Sequence, residues 1–309
     1  MEQNDKQPIV AIKCLVYNHE PYLRDCFEGF VMQQTSFPFV AIVHDDASTD
    51  KSADIIREYT EKYPDIFRPI YEIENQYSKG DGSLNRIMNA AINATGAKYV
   101  AMCEGDDYWT DPKKLQKQVD FLEAHKDYSM CFHKVKVISD FGDENDFFAH
   151  LKEKDYTATE MFEQWTVPTC SVLYREDVFK AYYRIKPNLA FGDIYLWLSL
   201  AKGGKVHCQD FVAGVYRRHS GGASVNLSLE TRCRLVDQYR MMARCFPEVR
   251  DIARKQEDNH LKGLIYEKWF PGIWKYRFRY MLLHPKLFFS SFFTTTLTSY
   301  TFHRARHDK

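Results

Sequence analysis

The first hundred residues alternate between short apolar runs and amphipathic segments. The apolar runs at 9–16, 39–43, 66–71 and 99–103 have the length of strands. Between them, apolar residues recur at helical spacing, most clearly over 84–94. Alternating strands and helices predict an α/β fold with a mostly parallel sheet flanked by helices on both faces.

Polar side chains follow three of these four predicted strands. They are Asn18 and Glu20 after the first run, the pair at 45–46 after the second, and the cluster at 104–107 after the fourth. Ligands of parallel sheets bind beyond the carboxyl ends of the strands, so three strand ends converge on one predicted site.

The cluster after the fourth run is acidic. Glu104, Asp106 and Asp107 fall within four residues. Hard cations such as Mg²⁺ and Mn²⁺ prefer carboxylate oxygen and are often held by one or two carboxylates plus substrate phosphates. The cluster indicates a metal–diphosphate site, with a solvated acidic turn as the alternative. The following Asp111-Pro112 predicts a helix start, so Asp111 is expected to be structural.

Several function classes are disfavoured. The first strand is followed by neither a dinucleotide-binding nor a P-loop glycine pattern, and it lacks the glycine-rich turn of a sugar nucleotidyltransferase. Basic and acidic residues number 42 each, which gives no indication of a nucleic-acid partner. Eight scattered cysteines without a CxxC pair predict reduced thiols, and a polar N-terminus without a secretory signal predicts a cytoplasmic protein.

Three short motifs follow one another along the chain: Val-Tyr-Asn-His-Glu at 16–20, His-Asp-Asp-Ala-Ser-Thr-Asp at 44–50, and Glu-Gly-Asp-Asp-Tyr-Trp at 104–109. Together they resemble the V-Y-N-x-E, D-D-x-S-x-D and D-x-D motifs of family 2 glycosyltransferases, over about residues 8–225. The resemblance implies the GT-A fold and a cytosolic, inverting transferase that uses a nucleotide sugar, most often a UDP-sugar, with Mn²⁺ or Mg²⁺.

The resemblance also assigns residues. Asp46, with Asp45, would bind the base, the backbone of 15–17 would line the nucleotide pocket, and Glu104 stands where the family has the first Asp of D-x-D. The candidate nucleotide-binding residues are Leu15, Val16, Tyr17, Asn18, Glu20, Asp45, Asp46, Arg86, Glu104, Gly105, Arg217 and Arg218. The implied metal ligands are Asp106, Asp107 and His219.

The chain departs from the family pattern in the helix at 84–94. Many relatives carry A-R-N-x-G there, whereas Met88 occupies the expected arginine position. Arg86 is a candidate substitute for the diphosphate contact, and a surface arginine on an amphipathic helix is the alternative. The turn-rich segment 75–82 is a candidate loop that closes over the donor.

The acceptor half supplies a candidate base. The segment 167–174 predicts a strand, and Asp193 lies at the start of an aromatic helix. Asp193 is either a helix cap or, as the resemblance implies, the base that takes the acceptor hydroxyl's proton during inversion. His133 is expected to be a half-buried structural histidine.

The segment 215–224 resembles the family's Y-R-x-H-x-x-x-x-S pattern. His219 is a candidate metal ligand or diphosphate contact, and Arg217 or Arg218 a candidate anion contact. For the arginines, a basic surface turn is the alternative.

The expected domains are a catalytic domain at 1–225, divided into a nucleotide-sugar half (8–125) and an acceptor half (126–225), and a helical, aromatic-rich extension at 226–309. Residues 261–309 contain nine Lys or Arg against two acidic residues, and Leu287–Phe302 is uncharged. Sixteen residues are fewer than the about 20 that a helix needs to span a bilayer. In-plane docking on an anionic membrane, a helical cap and an oligomer interface all remain open.

These observations predict a glycosyltransferase that acts on a saccharide or lipid-linked saccharide acceptor in surface polysaccharide assembly. The alternatives are a non-catalytic scaffold that binds nucleotide sugars and a sugar nucleotidyltransferase. The sugar, the linkage and the oligomeric state do not follow from the residues.

Overall fold

The chain forms two compact units, Met1–Asn226 and Leu227–Lys309. The computed structural model of the 309-residue chain describes residues 7–142, 146–164, 166–222, 225, 227–265 and 272–285.

The first unit is built on one nine-stranded sheet in the order β3-β2-β1-β4-β8-β6-β9-β5, with β7 also paired to β9. Its strands are β1 (Val10–Val16), β2 (Phe39–Asp45), β3 (Phe67–Tyr71), β4 (Tyr99–Met102), β5 (Tyr108–Trp109), β6 (Tyr128–Ser139), β7 (Lys154–Asp155), β8 (Leu173–Arg175) and β9 (Lys205–Arg218). Its helices are α1 (Leu23–Val31), α2 (Ser52–Lys62), α3 (Gln76–Lys79), α4 (Ser83–Thr95), α5 (Lys114–Ala124), α6 (Ala158–Gln164), α7 (Glu176–Tyr182) and α8 (Gly192–Ala201).

The four strands predicted from the apolar runs form the parallel half of the sheet. β1 lies between β2 and β4, and β2 pairs with β3, all in parallel. The side chains of Ile12 and Cys14 are fully buried in one core cluster with Phe27 and Phe30 of α1. The predicted α/β class with a mostly parallel sheet flanked by helices is thus confirmed.

The other half of the sheet is mixed. β8 runs antiparallel to both β4 and β6, whereas β9 runs parallel to β6. The two-residue strand β5 pairs antiparallel with β9, with Tyr108 opposite Val215 and Trp109 opposite Gly214. This pairing places the acidic motif at 104–109 beside the end of β9, which carries Arg217 and leads into His219.

The strand predicted over 167–174 is wrong in its extent. A 3₁₀ turn covers Thr169–Ser171, and β8 begins only at Leu173. The Ser171 hydroxyl donates to the Pro168 carbonyl over 2.6 Å, and the Trp109 indole N–H donates to the Cys170 carbonyl over 2.7 Å. These bonds close the turn, and they replace strand pairing.

The helix predicted at Asp111-Pro112 begins slightly later, at Lys114. The Asp111 carboxylate accepts the Lys113 backbone N–H over 2.8 Å and the Lys117 ammonium over 2.6 Å. Asp111 is therefore structural, as expected. All eight cysteines are unpaired, and six of them are buried.

The second unit contains three described helices, α9 (Leu229–Cys245), α10 (Arg250–Ile265) and α11 (Ile273–Leu283). Its core includes Val236, Leu261, Leu264, Tyr276 and Tyr280. None of the described helices combines the length and apolar character needed to cross a bilayer. The uncharged run Leu287–Phe302 lies outside the described residues.

Candidate active site

The loops that follow β1 and β2 hold each other. The Asn18 backbone N–H donates to the Ser48 hydroxyl over 2.9 Å, and the Asn18 side-chain oxygen accepts the Thr49 N–H over 2.8 Å. The Glu20 N–H donates to the Asp50 carboxylate over 3.0 Å. Asn18 has φ +57°, a conformation that asparagine tolerates better than most residues. We call this arrangement the clasp; it consists of Asn18, Glu20, Ser48, Thr49, Asp50 and Ser52.

The two aspartates at the end of β2 are buried. The Asp45 carboxylate accepts the Ser48 N–H over 3.2 Å. Each oxygen of Asp46 accepts one backbone N–H, from Gln76 at 2.6 Å and from Tyr77 at 3.0 Å. Asp46 therefore anchors the short helix α3, which occupies part of the turn-rich segment 75–82. Each of its oxygens keeps a second lone pair.

The backbone of 15–17 joins the three motifs. The Leu15 carbonyl accepts the Gly105 N–H over 3.0 Å, and the Val16 carbonyl accepts the Asp46 N–H over 2.9 Å. The Tyr17 ring is 47% exposed, so a planar ligand can reach it.

Asp106 lies between two imidazoles. Its Oδ2 is 3.1 Å from Nε2 of His219 and 3.8 Å from Nε2 of His19. Burial alone would raise the pKa of Asp106, but the His219 hydrogen bond and the nearby charges of His19 and His219 hold it below the usual value. Asp106 is therefore an ionised carboxylate at neutral pH.

Gly105 makes room for one of these imidazoles. A Cβ atom at Gly105 would lie 2.8 Å from Nδ1 of His19, 3.0 Å from Leu23 and 3.1 Å from Val16. The glycine in the motif is therefore required by close packing around the His19 ring.

Glu104 and Asp193 lie within electrostatic range of each other. Burial, followed by the charges of Asp106 and Asp193, raises the pKa of Glu104 to about 8, while Lys13 opposes the shift. Asp193 is in the first turn of α8, where its Oδ1 accepts the Ile194 N–H over 2.7 Å. Burial also raises the pKa of Asp193. We call Glu104, Asp106 and Asp193, with His19 and His219, the carboxylate cluster.

Asp107 is hydrogen-bonded to the backbone at the end of β9. It is 2% exposed, and its Oδ1 accepts the Arg217 backbone N–H over 2.8 Å. Burial raises its pKa well above the usual range. The structure thus separates the adjacent aspartates: Asp106 meets the histidines, and Asp107 fixes the end of β9.

Arg217 is held by neighbouring protein groups. Its guanidinium lies between the rings of Tyr22 and Tyr108, at 5.1 and 4.6 Å from their centroids. It donates to the Asp106 carbonyl over 3.3 Å and pairs with Asp25.

The other two predicted arginine contacts also meet protein groups. Arg86 is exposed on α4 and pairs with Asp81 at 3.4 Å, while Met88, at the family's arginine position, is fully buried. The Arg218 guanidinium lies 4.4 Å from the Phe147 ring centroid. Of the segment 215–224, Ala223 and Ser224 lie outside the described residues.

Sequence reasoning missed His19 as a site residue. It occupies the variable position of V-Y-N-x-E, and the available signal was an imidazole at the same sheet edge as the carboxylates. His133 instead has a structural setting: it is buried, its Nδ1 is 2.8 Å from the Lys134 carbonyl, and burial lowers its pKa to about 3.

The site fits a nucleotide-bound cation. Asp106 and His219 offer a carboxylate oxygen and an imidazole nitrogen, which are ligands that Mn²⁺ accepts. Among the residues that the structure describes, no group of three or more His, Cys, Asp or Glu side chains is arranged to hold a metal. A cation that is bound mainly by substrate phosphates needs only one or two protein ligands.

Comparison with known proteins identifies the family. A model described as "Glycosyl transferase family 2" matches residues 14–183, more than half of the chain. The chain therefore belongs to glycosyltransferase family 2.

Two curated relatives illustrate the similarity. An uncharacterised protein of Mycobacterium tuberculosis is 37% identical over 69% of this chain, and the match spans only 60% of that relative's length. The Escherichia coli protein WfaP, a UDP-Glc:alpha-D-GlcNAc-diphosphoundecaprenol beta-1,3-glucosyltransferase, is 28% identical over 71% of this chain and 80% of its own.

Two solved structures share the fold. S. aureus TarS in complex with UDP-GlcNAc matches with a TM-score of 0.59 and 17% identity, over 82% of this chain and 71% of that one. The mannosyltransferase PcManGT from Pyrobaculum calidifontis, in complex with GDP-Man and Mn²⁺, matches with a TM-score of 0.50 and 14% identity, over 95% and 84% of the two chains. These likenesses confirm the GT-A fold.

Proposed function

We propose that this chain is an inverting, metal-dependent glycosyltransferase that moves a sugar from a nucleotide sugar to a saccharide acceptor. The observation that carries the proposal is the setting of Asp106. This carboxylate is kept ionised between His219 and His19, and Asp193 lies within electrostatic range of the same motif. The family membership supports the same reaction class.

Asp106 and His219 would hold the divalent cation, either Mn²⁺ or Mg²⁺. A cation bound there would neutralise charge on the departing nucleoside diphosphate. Asp107 is a weaker candidate ligand, because its carboxylate is committed to the Arg217 backbone. Tyr17 would stack on the base, and Asp46 would accept a hydrogen bond from it through a remaining lone pair.

Asp193 would be the base. In a single displacement with inversion, the acceptor oxygen attacks the anomeric carbon while the bond to the diphosphate breaks, and the hydroxyl proton passes to Asp193. Burial raises the pKa of this carboxylate, which brings it closer to the value that suits a base at neutral pH.

TarS and WfaP support a UDP-sugar donor and WfaP a lipid-linked acceptor, whereas PcManGT was solved with GDP-Man. TarS was solved with UDP-GlcNAc, and the name of WfaP gives UDP-Glc and a diphosphoundecaprenol-linked sugar. We therefore infer that the donor is a UDP-sugar, that residues 126–225 bind the acceptor, and that the reaction belongs to surface polysaccharide assembly.

The second unit is a candidate membrane contact. Phe278 and Leu282 of α11 are 55% and 63% exposed, on a helix that also carries the exposed Lys275. We expect the intact protein to bind vesicles that contain anionic lipid and a variant without residues 270–309 to lose this binding. Equal binding by both proteins, or by neither, would contradict a membrane role for this unit.

Thermal unfolding with nucleotides tests the donor site. A ligand at 100 times its Kd stabilises a protein by about 2.7 kcal/mol. We expect UDP to raise the Tm of the wild-type protein in the presence of Mn²⁺, and Asp106→Asn to remove the Mn²⁺-dependent part. If only GDP, CDP or ADP raised the Tm, the inferred donor would change to a sugar carried by that nucleotide. If no nucleotide raised the Tm, the assigned site would be contradicted.

A further inference from the structure

His19 is fixed in the carboxylate cluster by several contacts. Its backbone N–H donates to the Ser52 hydroxyl over 2.9 Å, which ties it to the clasp. Its ring fills the space that Gly105 leaves open, and it meets the His219 ring edge-on with centroids 6.4 Å apart. The imidazole is therefore built into the site, with 16% of its side chain exposed.

The two nitrogens of His19 have different surroundings. Nδ1 is buried without a hydrogen-bond partner, whereas Nε2 lies 3.8 Å from Oδ2 of Asp106, too far for a direct hydrogen bond. Orphaned buried N–H groups are rarer than orphaned acceptors, so we assign the proton to Nε2. His19 then presents an N–H group beside the Asp106 carboxylate.

This assignment favours a donor over a metal ligand. A ligating Nε2 would leave the proton on Nδ1, where ligating histidines normally have an acceptor and His19 has none. Within the described ranges, no third His, Cys, Asp or Glu side chain joins Asp106 and His219 in a metal-binding group.

Two of the predicted arginine contacts are engaged by protein groups. Arg217 is engaged by Asp25 and the Asp106 carbonyl, and Arg86 is exposed and paired with Asp81. A nucleoside diphosphate nevertheless requires hydrogen-bond donors as its bond to the sugar breaks. The N–H of His19 stands beside the carboxylate that would hold the cation.

We propose that His19 donates a hydrogen bond from Nε2 to the diphosphate of the bound nucleotide and to the departing diphosphate during transfer. This role rests on the proposed function, because it requires a nucleotide-sugar donor whose phosphates lie next to Asp106.

Two substitutions of His19 distinguish the role of its Nε2 hydrogen-bond donor from the role of its ring. The amide of Gln extends about as far as Nε2 of histidine, whereas that of Asn reaches only the position of Nδ1. Calorimetry with UDP and with UMP, each with Mn²⁺, measures the contribution of the second phosphate. If another base binds better, its diphosphate and monophosphate are used. His125→Asn, at an exposed histidine on the C-terminal end of α5, serves as the matched control.

We expect His19→Asn to weaken UDP binding about tenfold or more, because hydrogen bonds to charged groups contribute about 1.5–3 kcal/mol. UMP affinity should change less than about threefold, and His19→Gln should restore most of the UDP affinity. The ratio of UDP affinities with and without Mn²⁺ should stay near the wild-type value.

Several results would overturn this role. An equal loss of affinity for UDP and UMP in His19→Asn would indicate that His19 has a structural role. A large fall in the ratio of UDP affinities with and without Mn²⁺ would indicate that His19 is a metal ligand. Unchanged UDP binding by His19→Asn would remove the contact altogether. If the wild-type protein binds no nucleoside diphosphate, the proposed function fails together with this inference, whereas wild-type binding with unaffected variants rejects His19 alone.

Discussion

The clasp and the carboxylate cluster occupy the same edge of the sheet, yet they use their polar groups differently. In the clasp, Asn18, Glu20 and Asp50 satisfy one another's loops through hydrogen bonds of 2.8–3.0 Å. In the cluster, carboxylates lie close together, and the pKa of Glu104 rises to about 8 through burial and its acidic neighbours. The hydrogen bonds of the clasp stabilise the fold. In the cluster, burial and neighbouring charges shift carboxylate pKa values, a feature that is typical of functional sites.

This difference teaches that a polar residue at a strand end is not by itself a ligand contact. The useful criterion is whether its polar atoms already have partners. By that criterion Asn18, Glu20 and Arg86 are already engaged by protein groups, whereas Nδ1 of His19 has no hydrogen-bond partner and its Nε2 lies 3.8 Å from Asp106.

Asp193→Asn and Asp106→Asn are expected to have the largest effects within the cluster. Loss of a general base typically costs 10²–10⁴-fold in rate. We expect transfer to fall by about that factor while UDP affinity, measured by calorimetry, stays within about threefold of wild type. Normal transfer by Asp193→Asn would show that the base is elsewhere.

Lys114 tests whether a buried charged group without a hydrogen-bond partner indicates a functional residue at other places in the fold. Its Nζ is buried without a hydrogen-bond partner, 3.8 Å from the Trp109 ring centroid, and burial lowers its pKa to about 7. We expect Lys114→Met to stabilise the protein by about 1–4 kcal/mol at pH 7, because no charge then has to be buried. Lys117→Met, on the same helix but exposed, should change stability by less than about 1 kcal/mol.

The pH dependence of this gain has a definite sign. Between the folded pKa of about 7 and the unfolded value near 10.5, the unfolded chain binds more protons at Lys114, so wild-type stability rises with pH. The advantage of Lys114→Met should therefore shrink from pH 7 to pH 10 in urea unfolding. A loss of transfer without a loss of stability would instead place Lys114 in the chemistry.

Gly105→Ala probes the contact between the motif and His19. The new Cβ would lie 2.8 Å from Nδ1 of His19, so we expect a loss of about 1–3 kcal/mol in stability and weaker UDP binding. Gly263→Ala is the matched control, since its Cβ would meet Arg232 at an ordinary 3.5 Å inside a helix. A Gly105→Ala protein with unchanged stability and affinity would contradict the packing argument.

Asp50→Asn should have the smallest effect, a loss of about 1 kcal/mol in stability with little change in UDP affinity. Burial alone would raise the pKa of Asp50, but hydrogen bonds from Ser52 and Glu20 hold it below 3.8. This stabilisation is complete above the unfolded pKa and is lost as pH falls through the folded value. The free energies of unfolding of the wild type and Asp50→Asn, measured with urea, should therefore converge as the pH falls below about 4. A difference between them that grows at low pH would contradict the assignment.

The sequence predicted the parallel half of the sheet and the position of Asp106, because apolar periodicity and short motifs are local signals. It did not reveal that β5 pairs with β9, since that contact joins residues about a hundred positions apart. For the same reason the sequence did not reveal that Asp107 contacts Arg217. Whether these two residues contact each other or a ligand depends on the pairing of β5 with β9. His19 was missed because its role depends on the space left by Gly105.

The most direct test of the central claim is the rate of nucleoside diphosphate release from the nucleotide sugar that the wild-type protein uses, measured side by side for Asp106→Asn and Asp50→Asn. The account predicts that Asp106→Asn loses at least about 10³-fold in rate at a temperature where it is still folded, while Asp50→Asn keeps its rate within a few-fold and melts at a lower temperature than the wild-type protein. Equal losses in both variants, or a larger loss in Asp50→Asn, would contradict the division between the clasp and the carboxylate cluster.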